Sequence, residues 1–214
     1  MASAASHFSE EQFLEVCAEL QKPNLSGANW ELLVIASGVR VYRLWDQKTG
    51  LYEYKVFGIL TDCPPDLLAD VYMDLQYRKK WDMYVERVYE KECNGEIVTY
   101  WEVSYPSPMC NRDYVYIRQR RDLDVDGRKF YVVLAESICL PEFPEKSGVI
   151  RVNEYKQKLA IASDGKGGSK VFMYHFDNPG GQIPSWLINW VAKSGIPNFL
   201  NELVKACQNY VKKS

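Results

Sequence analysis

The feature that most constrains the fold of this chain is a long series of short segments rich in Val, Ile, Tyr and Phe, each bounded by turn residues. Three such segments lie within residues 30–60 and six more within residues 83–178. The pairs Asn94-Gly95 and Asp126-Gly127 separate neighbouring segments, and such pairs are typical of two-residue β-hairpins. The pattern predicts one large sheet of nine strands, of which the last six form an antiparallel meander.

Helix-type patterns lie before these strands and between the third and the fourth. Ser9, followed by Glu10, Glu11 and apolar residues at helical spacing, predicts a capped amphipathic helix that packs on the outside of the fold. Pro64 and Pro65 open a second helical stretch, because proline is tolerated in the first turn of a helix.

The C-terminal segment has apolar residues at helical spacing and predicts a helix that begins at Pro184. Gly195 and Pro197 lie inside this segment, and we expect them to kink or interrupt the helix. Together these elements predict a single α+β domain over residues 1–214, in which a long curved antiparallel sheet carries the helix on its concave face.

The charge balance argues against a nucleic-acid partner. The sequence has 26 Lys and Arg against 28 Asp and Glu, a net charge of -2, whereas nucleic-acid binding depends on basic residues that neutralise phosphates. Aromatic residues make up 14% of the chain. An excess of Tyr and Trp, which combine apolar area with a polar group, indicates a lined pocket or an interface.

Targeting signals and cysteine usage both favour a cytoplasmic protein. The first residues resemble neither a signal peptide nor a transit peptide, and the apolar runs are far shorter than the roughly 20 residues that span a bilayer. The 6 cysteines are scattered without a CxxC pair, which favours free thiols over zinc sites or disulfides.

Residues for enzyme chemistry are scarce in this sequence. Neither of its 2 histidines, His7 and His175, is placed as a general base, and no cluster has metal-ligand spacing. A lone histidine in a strand is more often packed than catalytic, and the role of His175 stays open. We therefore predict a protein that is not an enzyme and that has neither a metal site nor a cofactor.

One face of the predicted sheet mixes aromatic with uncharged polar residues. Asn153, Tyr155 and Gln157 follow one another on this face. The row is too polar for a packed core and has too few charges for a solvent-facing surface, so it indicates a pocket wall that orients a polar group. A sheet edge with tolerated polar residues explains the same alternation equally well.

The segment YRKKWD, residues 77–82, predicts a short helix on which Arg78 and Asp82 share a face and can form an ion pair. On an exposed helix such a pair contributes at most about 1 kcal/mol, which is the simpler explanation. If this helix instead covers the concave face, Arg78 held by Asp82 becomes an oriented fork for a phosphate group.

Three aromatic residues on different strands suggest a neighbouring site for a cation. Trp101, Tyr114 and Tyr155 can form a box of the kind that recognises quaternary ammonium groups. A phosphate next to a trimethylammonium group is phosphocholine.

Several segments resemble, in order and spacing, the START lipid-transfer domain. They are LYEYKVFG, YRKKWD, YWEVSYP, NRDYVY, SGVIRVNEYKQ and GGQIPSWLINW, and the resemblance covers nearly the entire chain. It implies a helix-grip fold, in which the sheet wraps around a lipid tunnel closed by the C-terminal helix, with one phosphatidylcholine molecule as the bound ligand. It also implies that Arg78, held by Asp82, meets the lipid phosphate.

The same resemblance assigns the remaining contacts of the head group. Trp101, Tyr114 and Tyr155 enclose the choline, while Tyr72 and Gln157 bond the phosphoglycerol region.

The C-terminal helix is the natural lid of such a tunnel. Trp186 and Trp190 suit the bilayer interface, and Gly195 and Pro197 supply a point of bending. Burial of both tryptophans in the core is the alternative interpretation.

Two functions of different classes follow. The first is transfer or exchange of phosphatidylcholine between membranes through the aqueous phase, by a monomer that contacts membrane surfaces transiently. The second is a lipid sensor whose loaded state regulates a protein partner. An enzyme that uses the same cavity would need a nucleophile with an adjacent base, which the sequence lacks.

Overall fold

The protein, described here from a computed structural model over residues 7–210, is built on one curved sheet with helices on both faces. The strands are β1 (Glu31–Ala36), β2 (Val39–Asp46), β3 (Leu51–Leu60), β4 (Val85–Cys93), β5 (Glu96–Val103), β6 (Asn111–Val125), β7 (Arg128–Ser137), β8 (Val149–Val152), β9 (Tyr155–Ser163) and β10 (Ser169–Asp177). The helices are α1 (Glu10–Gln21), α2 (Pro65–Met73), α3 (Leu75–Trp81), α4 (Ser185–Trp190) and α5 (Ile196–Gln208), with a π-helical turn over Val191–Gly195.

The strand order is β1-β2-β3-β10-β9-β7-β6-β5-β4, with β8 paired to β6 outside this path. This path contains nine strands, the number that the sequence predicts. The first three strands join the other six through the pair of β3 and β10. The segment predicted as one strand over residues 148–163 is divided into β8 and β9. At the break, the Ser137 hydroxyl donates to the Asn153 carbonyl and accepts from the Tyr155 N–H, which replaces sheet hydrogen bonds.

Local turn chemistry sets the hairpins. Asn94 and Gly95 have φ values of 51° and 82°, and Asp126 and Gly127 have φ values of 51° and 78°. Two consecutive positive values define the tight turn whose twist matches antiparallel strands, and Asn, Asp and Gly adopt it readily.

The outer face of the sheet, defined as the face that contacts α1, is apolar. Ser9 caps α1 in a reciprocal capping box with Gln12, and the helix buries Phe13 together with its other apolar residues against β7, β9 and β10. Val132 and Phe172 are among the strand residues in this cluster. The predicted position of this helix outside the sheet agrees with the structure.

The inner face, the opposite one, packs against α2 and α5. Leu200 and Leu203 of α5 lie in one apolar cluster with Val133 and Ile161 of the sheet and with Val71 of α2. Burial of each leucine contributes about 1.5–3 kcal/mol. This cluster therefore holds the C-terminal helix, residues 185–208, over the inner face.

The predicted interruption of the C-terminal helix is the π-helical turn that ends at Gly195. A Cβ atom on Gly195 would lie 3.3 Å from the Trp190 ring, so glycine allows that ring to pack closely. Pro197 lies in the first turn of α5, where a missing N–H is tolerated. Among the helices of residues 7–210, none is both long and apolar enough to cross a bilayer.

Candidate functional site

A cavity of about 230 Å³ lies between the inner face and the helices α2, α3 and α5. Six of the seven predicted ligand residues line it, and the seventh, Asp82, contacts one of those six. The lining residues are Tyr72, Arg78, Trp101, Val103, Tyr114, Tyr116, Arg118, Val133, Ala135, Tyr155, Gln157, Met173, His175 and Phe199.

The predicted pair of Arg78 and Asp82 forms an ion pair that is nearly buried. Arg78 Nε donates to Asp82 Oδ2 over 2.7 Å, and the two side chains are 12% and 5% exposed. Asp82 Oδ1 also accepts from the Tyr84 N–H. Among the described residues, Nε is the one donor of this guanidinium with a hydrogen-bond partner. Its two terminal nitrogens therefore remain available to an anion in the cavity.

Aromatic rings surround the Arg78 guanidinium. Its central carbon lies 4.7 Å from the ring centroid of Trp81, 4.9 Å from that of Trp101 and 5.2 Å from that of Phe199. These contacts are cation–π interactions. They fix the direction of the fork, and they also give Trp101 a second role beside the predicted choline box.

The three predicted box residues converge because β7 ends between the strands that carry two of them. Trp101 and Tyr114 are direct cross-strand neighbours on β5 and β6. Ser137, the last residue of β7, pairs with Tyr116, so Tyr114 lies beyond the end of β7. The Tyr114 and Tyr155 rings meet there edge to face, 5.2 Å apart.

Tyr72 and Gln157 bond to each other. The Tyr72 hydroxyl donates to Gln157 Oε1, and the Tyr155 hydroxyl donates to the same oxygen over 2.9 Å. The amide thus links α2 to a residue of the aromatic box. A ligand that bonds any of these groups exchanges partners within a network that already exists.

Tyrosine is protonated at neutral pH, and burial raises the pKa of the phenols of the cavity further. Desolvation raises the pKa of Tyr72, although the positive charges of Arg78 and Arg118 oppose the shift. Desolvation is also the largest cause that raises the pKa of Tyr114 and of Tyr155. The rings therefore present uncharged π faces to a cation.

The sequence-based prediction omitted several lining residues and included one that lies elsewhere. Tyr116 and Arg118 alternate with Tyr114 along β6 and line the cavity, and this period of two was visible in the sequence. Asn153 is exposed in the break between β8 and β9, so its expected place in the pocket wall is wrong. His175 lines the cavity, a position that the sequence left open.

The expected lid residues lie outside the cavity lining. Trp186 is 44% exposed, whereas Trp190 is partly buried and packs edge to face on Tyr84 with ring centroids 5.9 Å apart. The two tryptophans thus differ, one being a surface residue and the other a packing residue. Within residues 7–210, no group of three or more His, Cys, Asp or Glu side chains is arranged to hold a metal ion.

Comparison with known proteins shows the family to which the chain belongs. The START domain family model matches residues 10–213, and the chain belongs to that family. The phosphatidylcholine transfer protein of Rattus norvegicus is 72% identical over 214 residues, covering 100% of both chains, and that of Homo sapiens is 69% identical over 214 residues with the same coverage. Human STARD10 has a TM-score of 0.77 at 23% identity, and the match covers 98% of this chain and 84% of that chain. The predicted helix-grip fold is confirmed.

Proposed function

We propose that the protein binds one phosphatidylcholine molecule in this cavity and transfers it between membranes through water. The observation that carries the proposal is the Arg78 fork, held by a buried carboxylate within a cavity whose lining includes the rings of Trp101, Tyr114 and Tyr155. The relatives that match the whole chain bear the name of this activity. The START domain relationship agrees with a lipid carrier.

The head group divides between two parts of the site. The terminal nitrogens of Arg78 bind the phosphate, since charge-assisted bonds to a guanidinium are strong and directional. The choline lies among Trp101, Tyr114 and Tyr155, where each ring contact contributes about 0.5–2 kcal/mol. Tyr72 and Gln157 bond the phosphoglycerol region.

The acyl chains require more room than the present cavity. Exposure of about 30 methylenes to water opposes transfer by roughly 25 kcal/mol, at about 0.8 kcal/mol for each, so the protein must enclose both chains. A volume of about 230 Å³ is below the roughly 300 Å³ at which sites for drug-sized molecules begin. The cavity therefore widens when it takes up a lipid.

The C-terminal helix is the element that moves in this proposal. Trp186 contacts the bilayer interface, Trp190 supports the helix, and the segment bends near Gly195 and Pro197. The protein acts as a cytoplasmic monomer that touches membranes transiently, and it needs no cofactor and carries out no catalysis.

Native mass spectrometry of the purified protein, combined with transfer of fluorescent phosphatidylcholine between donor and acceptor vesicles, tests the function. We expect one copurified diacyl phosphocholine lipid per chain and transfer that is proportional to protein concentration. A copurified sterol, or an absence of transfer by folded protein, would exclude the proposed ligand or activity.

A further inference from the structure

Asp177 lies directly behind the aromatic box, although its carboxylate is not part of the cavity lining. It is the last residue of β10 and is the cross-strand partner of Tyr155. The Tyr114 hydroxyl donates to Asp177 Oδ2 over 2.6 Å. One carboxylate is thus adjacent to two of the three rings proposed to hold choline.

This carboxylate has little compensating charge. Its side chain is 16% exposed, and its one ion-pair partner among the described residues is His175, whose Nε2 lies 3.6 Å from Oδ2. Arg112 lies nearby but gives its donors to the main-chain carbonyls of Cys110, Pro179 and Gly180. The carboxylate of Asp177 therefore lies close to the box without a direct ion pair to Arg112, whose positive charge acts on it from a distance.

The surroundings of Asp177 favour its ionised, negatively charged form. Burial alone would raise its pKa, but the ion-pair contact with His175, the hydrogen bond from Tyr114 and the positive charge of Arg112 together lower the pKa below its usual value. The effect of that charge extends to its neighbours. After burial, the Asp177 charge is the largest cause that raises the pKa of Tyr54 and Tyr114.

We propose that Asp177 strengthens the preference of the site for a cationic head group, by fixing Tyr114 and by placing a negative charge beside the aromatic box. This inference rests on the proposed function, because the cation in question is choline. Aromatic rings alone already favour a cation over a neutral group of the same shape, through cation–π attraction. A carboxylate behind the rings adds to this preference, since a trimethylammonium group gains Coulomb energy from it and the neutral group does not.

The test compares two lipids that differ in one atom of the head group. The first is phosphatidylcholine, and the second is its analogue with a 3,3-dimethylbutyl ester, in which carbon replaces the quaternary nitrogen. We expect the wild-type protein to prefer phosphatidylcholine by more than about tenfold, and Asp177→Asn to reduce this preference about tenfold, equivalent to about 1.4 kcal/mol. Affinity for the neutral analogue stays unchanged, because asparagine can still accept a bond from Tyr114.

The control is Asp124→Asn, which removes the same charge from an exposed position on β6 and leaves the preference as it is. Equal loss of affinity for both lipids in Asp177→Asn would indicate a purely structural residue and overturn the inference. If this variant does not fold, Asp177→Ser takes its place with the same expected loss of preference, and equal affinity of the wild-type protein for the two lipids also overturns the inference. Failure of the wild-type protein to bind phosphatidylcholine would instead overturn the proposed function.

Discussion

At the scale of single residues, Arg78 combines packing with the proposed binding of the lipid phosphate. Its stem and guanidinium lie among Trp81, Trp101 and Phe199, while Asp82 binds one edge of the fork. Because Trp101 contacts both Arg78 and the proposed choline site, the phosphate and choline positions share a wall. In the proposed complex this contact sets the distance between the phosphate and choline positions, so we expect a head group with a different spacing not to occupy both.

Replacement of Arg78 by lysine tests the fork itself. Lysine keeps the positive charge but cannot make parallel bonds to a phosphate or hold the same bond to Asp82. We expect Arg78→Lys to weaken phosphatidylcholine binding by about 10- to 100-fold, equivalent to roughly 1.4–3 kcal/mol, and Arg78→Ala to weaken it further. Arg87→Ala is the matched control, since this exposed arginine also lies over an aromatic ring, 5.3 Å from Tyr89. Lipid transfer equal to wild type by folded Arg78→Ala would contradict the assignment.

The same scale shows what the sequence could and could not predict. Arg78 and Asp82 were predictable as a pair because the helical spacing of four residues is local. The meeting of Tyr114 with Tyr155 was proposed from the residues as part of a cation box and was also implied by the family resemblance, but no local spacing could derive it, because it depends on where β7 ends. Asp177 was missed altogether, since its importance arises from a hydrogen bond to a residue 63 positions away.

At the scale of elements, local sequence signals predicted the hairpins but could not predict which distant strands pair. The turns at residues 94–95 and 126–127 carry their own backbone preference. The pairing of β3 with β10 joins segments separated by more than a hundred residues, and no local pattern specifies such a partner. The parallel pairing of β8 with β6 is likewise not specified by a local pattern. For this reason β8 and β9 were predicted as one strand.

Close packing within the first hairpins makes Gly58 of β3 sensitive to substitution. A Cβ atom at this position would lie 2.7 Å from the Val39 side chain and 2.8 Å from the Gly38 carbonyl oxygen. We expect Gly58→Ala to reduce the free energy of unfolding by about 1–3 kcal/mol through overpacking, as measured by urea titration. Ile59→Ala, at the neighbouring 45% exposed position, serves as the control and should have a smaller effect. Unchanged stability in Gly58→Ala would show that β2 and β3 shift apart without penalty.

The C-terminal helix supports a prediction about membrane contact. Trp186 is 44% exposed, and its removal eliminates apolar area that the bilayer interface would bury. We expect Trp186→Ala to weaken vesicle binding and to slow transfer by about tenfold, with an unchanged melting temperature. Trp45→Ala is the matched control because Trp45 is 50% exposed and lies on β2. Equal losses in the two variants would indicate a nonspecific effect of surface tryptophan, not a docking helix.

At the scale of the whole molecule, the structure explains why a net charge near zero suits the proposed ligand. A net charge of -2 gives no long-range attraction for an anion, so recognition of a zwitterion depends on local groups. The Arg78 fork and the Asp177 carboxylate are partly buried charges of opposite sign near opposite parts of one proposed head-group site. Some of the many aromatic residues line the cavity between these two charges, and others pack on the outer face of the sheet. Composition alone does not show this division.

The buried tyrosines predict how the molecule responds to alkaline pH. The chain has 15 tyrosines, and burial raises the pKa of Tyr105 to about 12 and that of Tyr114 and Tyr155 well above the ordinary value. An unfolded chain releases these protons near pH 10, before the folded state does. The contribution of these tyrosines to the free energy of unfolding is therefore constant below about pH 10 and falls as the pH rises from about 10 towards 12.

Urea unfolding at pH 8, 9, 10 and 11, together with phenolate absorbance of the folded protein, measures this response. We expect the urea midpoint to decrease between about pH 10 and 11, and part of the tyrosine absorbance to develop only as structure is lost. The urea-unfolded chain is the internal control, since all its tyrosines titrate near pH 10. Complete titration of every tyrosine near pH 10 with the fold intact would show that the phenols of the cavity are open to water. Such access would also weaken the case for an aromatic site that excludes water around a lipid head group.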